Sequence, residues 1–127
     1  MLLCSAAQLF SFVAFKKGFY MPTTQIQVTA ADNELLLIAS TPAGSSELFH
    51  YKSGYNKPVN ATIFPGAILP TGTYALNMIG INWGGPANFT VVVTTDGQSQ
   101  TFHGGANNAP TGDVWHQTVP MNVVSGQ

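Results

Sequence analysis

The sequence predicts an all-β protein, a two-layer antiparallel β-sandwich of about seven to eight short strands. Three observations carry that expectation. From Thr24 onward apolar and polar residues alternate with a period of two, turns rich in Gly, Pro and Asn recur between the runs, and no long stretch has the helical period. The uneven strand lengths favour a sandwich over a closed barrel and leave jelly-roll and immunoglobulin-like topologies both open. No repeat of constant period supports a propeller or a solenoid.

In the first strand Thr24, Ile26 and Val28 alternate with Gln25, Gln27 and Thr29, which gives one apolar face. Ala31-Asp32-Asn33 reads as a turn. Glu34 to Ser40 is a continuous apolar run that fits a strand buried on both faces or a short helix; its length and the stop at Thr41-Pro42-Ala43-Gly44 favour the strand. Glu47 to Lys52 is rich in aromatics and runs into turn residues from Ser53 to Pro58. Val59 to Phe64 alternates and ends at Pro65-Gly66, and Leu69-Pro70-Thr71-Gly72 is a further turn.

Thr73 to Ile81 sets Tyr74, Leu76, Met78 and Gly80 on one side and Ala75, Asn77, Ile79 and Ile81 on the other. Apolar weight on both sides predicts a central strand between two layers. Ala87 to Thr95 holds a β-branched run with high sheet preference, and Asp96-Gly97 predicts a hairpin returning through Gln98 to Phe102. Gly104 to Gly112 reads as a loop. Val114 to Val124 contains Pro120 and is expected to be an edge strand or two strands broken at the proline.

At 127 residues the chain fits one domain, assigned to residues 21–127. Residues 1–20 form an apolar N-terminal extension. Their charge, Lys16 and Lys17, follows the apolar run instead of preceding it as in a secretory signal, and the run is too short to span a bilayer. Four readings stay open for this segment: a degenerate signal, a docking helix for a membrane surface or a partner, an extra element of the fold, or an upstream segment before a natural start at Met21. Cys4 is the sole cysteine, so no intramolecular disulfide forms.

Only 7% of residues are charged, against about 25% in ordinary soluble domains, and arginine is absent. Four lysines, Lys16, Lys17, Lys52 and Lys57, cannot build a phosphate-neutralising surface, which sets nucleic acid aside. Thr, Asn, Ser, Gln and Gly supply the polar surface instead. That composition favours an extracellular or surface-exposed setting over a cytoplasmic one, with no membrane partner expected.

No nucleophile elbow or phosphate loop occurs, so neither catalysis nor a cofactor is expected. Among the carboxylates Asp32, Glu34, Glu47, Asp96 and Asp113, no pair is placed face to face by sequence alone. His103, Asp113 and His116 flank the Gly/Asn loop and are the one conceivable metal set, but their spacing matches no zinc pattern and no metal is expected. His50, between Phe49 and Tyr51, reads as cross-strand packing.

Binding is better supported. Sugars are held by flat aromatic faces under their C–H groups and by amide, carboxylate and hydroxyl groups that meet their hydroxyls. One loop offers Asn82, Trp83 and Asn88; another offers Asn107, Asn108, Asp113, Trp115 and His116; Tyr51 and Tyr55 form a secondary patch. Each tryptophan also has a packing alternative, Trp115 in the core or at its lid and Trp83 folded down by its loop.

The sequence therefore points to a non-catalytic, lectin-like carbohydrate-binding module that gains avidity as a homo-oligomer. The alternative is a structural or assembly protein, such as a virion, tail or surface component, and the second alternative a membrane-associated or pore-forming β protein. Two N-glycosylation triplets, Asn60-Ala61-Thr62 and Asn88-Phe89-Thr90, are present.

Overall fold

The computed structural model describes residues 24–54 and 57–125. Eight strands follow one another: β1 (Thr24–Asp32), β2 (Glu34–Thr41), β3 (Gly44–Lys52), β4 (Ala61–Ile63), β5 (Gly72–Asn82), β6 (Ala87–Thr95), β7 (Gln98–Ala106) and β8 (Gly112–Val123), with a 3-10 turn at Pro65–Ala67. They form two four-stranded sheets, β4-β1-β6-β7 and β3-β2-β5-β8, antiparallel throughout. This is the expected two-layer sandwich. Its topology departs from the constant-type immunoglobulin arrangement, where the first two strands share a sheet, because β1 and β2 lie in opposite sheets.

Local chemistry sets the two tight hairpins. Thr95 pairs with Gln98 across Asp96 and Gly97, whose φ values of 54° and 75° are the left-handed pair that a type I′ turn requires. Thr41 pairs with Gly44, and the Thr41 hydroxyl accepts the Ala43 N–H at 3.1 Å.

Period-two alternation then fills the interior. Ile26, Val28, Leu35, Leu37, Leu76, Met78, Phe89 and Val91 are completely buried between the sheets. Each such side chain contributes about 1.5–3 kcal/mol by leaving water. The Thr24 hydroxyl donates to the Asn122 carbonyl and links the two sheets, since Thr24 lies in β1 and Asn122 in β8.

Several local expectations change. Ala31 and Asp32 extend β1, pairing with Phe89 and Asn88, so Asn33 alone makes the corner. The Val59–Phe64 run is a strand only over Ala61–Ile63. β7 continues through Gly104-Gly105-Ala106, which had read as loop, because these residues pair with Phe89, Asn88 and Ala87. Glycine is there for close approach: a Cβ on Gly104 would lie 2.3 Å from the Trp115 ring, and one on Gly105 2.1 Å from the Ala87 carbonyl oxygen. β8 is one unbroken strand, and it accommodates Pro120 at the edge of its sheet.

The largest correction concerns the strands expected to be buried on both faces. β2 and β5 are interior strands of their sheet, but only one face of each meets the core. Leu36 and Ile38 of β2 and Ile79 and Ile81 of β5 point outward and are partly exposed. Among the described residues there is no third layer to cover them.

Candidate functional site

The corner at Asn33 joins β1 to β2 and ties three segments of one end of the sandwich together. Its backbone N–H donates to the Ile81 carbonyl at 3.3 Å and its carbonyl accepts the Ser53 N–H at 2.7 Å. The side-chain Oδ1 of Asn33 accepts the Trp83 N–H at 2.7 Å. Asn33 is buried, so these bonds meet its polar groups where water cannot.

The next residue, Glu34, opens β2 opposite Lys52 of β3 and Ile81 of β5, with its side chain on the outer face. Its Oε1 accepts the Trp83 indole N–H at 3.1 Å and its Oε2 accepts His50 Nε2–H at 2.5 Å. The Glu34 side chain is 13% exposed and that of His50 34% exposed. The His50 hydrogen bond holds the Glu34 carboxyl below its ordinary range; partial burial opposes this, and the Trp83 N–H and the charges of Lys52 and His50 assist it.

Trp83 is thereby fixed at backbone and ring edge, yet it remains 52% exposed. A large amphipathic ring is held in one orientation in water beside a carboxylate and an imidazole. Gly84 and Gly85 beside it offer no side chain to cover the ring.

Asn82 has a different task. It is buried, and its Nδ2 donates to the carbonyls of Gly85, Ala109 and Pro110 at 3.0, 3.2 and 3.0 Å while its Oδ1 accepts the Gly84 N–H at 3.3 Å. It staples the β5–β6 and β7–β8 loops together. Asn88 and Asn107 meet at a separate open cleft of about 340 Å³ on the β4-β1-β6-β7 sheet, lined also by Asp32, Gly104 and Gly105.

The remaining candidates disperse. Trp115 is half-buried and stacked on Phe89, and Tyr51 is half-buried and stacked on Phe49. Asn108 is exposed in the β7–β8 loop. Asp113 and His116 lie on the outer face of β3-β2-β5-β8, opposite Ile81 and Ile79. His103 lies on the outer face of the other sheet, where its Nδ1 is 3.2 Å from the Thr90 hydroxyl, so His103 and His116 occupy opposite faces of the sandwich. Among the described residues no three His, Cys, Asp or Glu side chains gather as a metal site.

Tyr55, Cys4 and the whole 1–20 segment with its four readings lie outside the described residues. Both glycosylation asparagines, Asn60 and Asn88, are exposed. Sequence reasoning singled out Trp83 but missed Asn33, Glu34 and His50 as its neighbours. The only available signal was the Glu34 to Lys52 separation of two short strands, which becomes informative once the hairpin register is known.

The fold and this loop end define an all-β sandwich domain with one anchored, exposed tryptophan. No family model, curated protein or solved structure matches the chain. No helix among the described residues is long and apolar enough to cross a membrane.

Proposed function

We propose that the protein is a non-catalytic carbohydrate-binding module whose principal contact is the face of Trp83. The observation that carries this reading is the fixed, exposed indole beside Glu34 and His50. A sugar ring stacks its C–H face on such a surface while its hydroxyls meet the adjacent carboxylate and imidazole. Fixing the ring before binding removes part of the ordering cost that a free side chain would bring. The low charge supports an extracellular or surface-exposed setting.

The test is a broad glycan-binding screen on the full chain, followed by Trp83→Ala. Selective binding is expected, with affinity falling at least about tenfold in the variant, as for loss of a central aromatic anchor, while circular dichroism and melting stay unchanged. Absence of binding to any glycan, or binding that survives Trp83→Ala, would refute this function.

A further inference from the structure

The two outer faces of the sandwich differ in kind. On β4-β1-β6-β7 the central outward residues are Gln25 and Gln27 of β1 and Thr90, Val92 and Thr94 of β6. On β3-β2-β5-β8 they include Leu36 and Ile38 of β2 and Ile79 and Ile81 of β5, bordered by Glu34, Ser40 and Asn77, where a solvated sandwich face carries mainly polar residues. None of these four apolar residues packs against the core, and no described element covers them.

Asn77 and Glu34, which border this patch, are already satisfied within the face. Asn77 donates its amide to the Ile38 carbonyl at 3.1 Å and to Ser40 Oγ at 2.9 Å, and its Oδ1 accepts the Thr118 hydroxyl at 2.9 Å. Glu34 is held by His50 and Trp83. Covering the face therefore leaves these two side chains with partners, which lowers the main cost of burying a mixed surface.

The pattern of charge selects the occupant. One register row crosses the sheet as Lys52, Glu34, Ile81 and Asp113, and the next as His50, Leu36, Ile79 and His116. A two-fold axis between two such faces, parallel to the strands, lays β3 of one copy over β8 of its partner and β2 over β5. Lys52 then meets Asp113 at both edges and Leu36 meets Ile79 at both central positions. We propose that the outer face of β3-β2-β5-β8 is the interface of a two-fold homodimer, with Leu36, Ile38, Ile79 and Ile81 at its centre and reciprocal Lys52–Asp113 pairs at its rims.

Such an interface is self-complementary, as a two-fold contact has to be. The same axis keeps the loop ends of both copies on one side. It also lays Glu34 over the partner's Ile81 and His50 over the partner's His116. If the carbohydrate reading holds, sugar and the second copy compete for Glu34 and His50; the dimer itself does not depend on that reading.

Sedimentation of the full chain across a concentration series tests the proposal. The expected mass is twice the 13.4 kDa of one chain, reduced to a single chain by Ile79→Glu and unchanged by Val92→Glu on the opposite face. Exposed rim variants keep the test decisive should Ile79→Glu fail to fold. Lys52→Asp and Asp113→Lys are each expected to weaken the dimer at least about fivefold, and the combined swap to restore it. A monomer at every concentration would overturn the proposal and leave the face to another partner. A dimer indifferent to these changes, or rim variants not rescued by the swap, would overturn it equally. Mass is read without glycan, so failure here is distinct from failure of sugar binding.

Discussion

Phe89 and Trp115 stack across the interior with ring centroids 5.7 Å apart and planes 12° from parallel. Each ring occupies space left by a glycine of the opposite sheet, Phe89 against Gly80 and Trp115 against Gly104. Gly80 is the register partner of Trp115, and Gly104 is the register partner of Phe89. Two aromatic–glycine pairs from opposing sheets thus interlock near the loop end that carries the candidate site.

Substituting Gly104→Ala places a methyl group inside the Trp115 ring contact, and overpacking of this kind costs about 1–3 kcal/mol. Urea unfolding should show that loss, accompanied by a change in tryptophan emission as Trp115 is displaced. The exposed change Gln100→Ala should stay within about 0.5 kcal/mol of the parent. An unaltered midpoint for Gly104→Ala would show that the rings do not depend on the glycine slot.

Asn82 bonds the β5–β6 loop to the β7–β8 loop through its amide. Asn82→Ala removes a buried donor from the carbonyls of Gly85, Ala109 and Pro110 at once and is expected to cost about 1–3 kcal/mol. Asn82→Asp should cost more than alanine, since it sets a buried negative charge against three carbonyl oxygens. Hydrogen exchange should quicken at the ends of β5 and β8 in both variants. Equal stability of alanine and aspartate at this position would contradict the assignment.

Glu34 gives a pH dependence with a defined sign. Its carboxyl titrates lower in the folded chain than in the unfolded one, chiefly through the His50 hydrogen bond. Stabilisation from this group is therefore present above the unfolded value and lost as pH falls through the lowered folded value. Glu34→Gln should destabilise the protein near neutral pH by about 1 kcal/mol or less, and the gap to the parent should close in acid. Thermal melts of both proteins from pH about 7 to about 3 provide the check, the window bracketing the ordinary carboxylate range. A gap that stayed constant across that range would contradict the assigned Glu34–His50 hydrogen bond.

The alternation of Tyr74, Leu76, Met78 and Gly80 with Ala75, Asn77, Ile79 and Ile81 placed the two faces of β5 from local pattern alone. Asp96-Gly97 likewise marked its turn, because a left-handed residue pair is a property of the residues themselves. The loop reading of Gly104-Gly105-Ala106 failed for the opposite reason. Those glycines look like loop residues until Trp115 and Ala87, distant in the chain, are seen to need their space.

Trp83 could be singled out from its glycine-rich surroundings, but its partners Asn33, Glu34 and His50 could not. Their meeting depends on the β2–β3 register and on the corner where β1 passes to β2. The same holds for the outer apolar stripe: local pattern marked two apolar sides on β5 but not which side would lack a covering layer.

What the amino-acid sequence determined by itself was the all-β class, the facing of its clearest strands and the chemistry of the Asp96-Gly97 turn, because period-two alternation and left-handed preference act within a few neighbouring residues. Only the tertiary structure decided which side chains share the Asn33 corner, which glycines seat Phe89 and Trp115, and which sheet face stays uncovered. These are consequences of strand pairing between segments far apart in the chain, where register and layer order set the contacts.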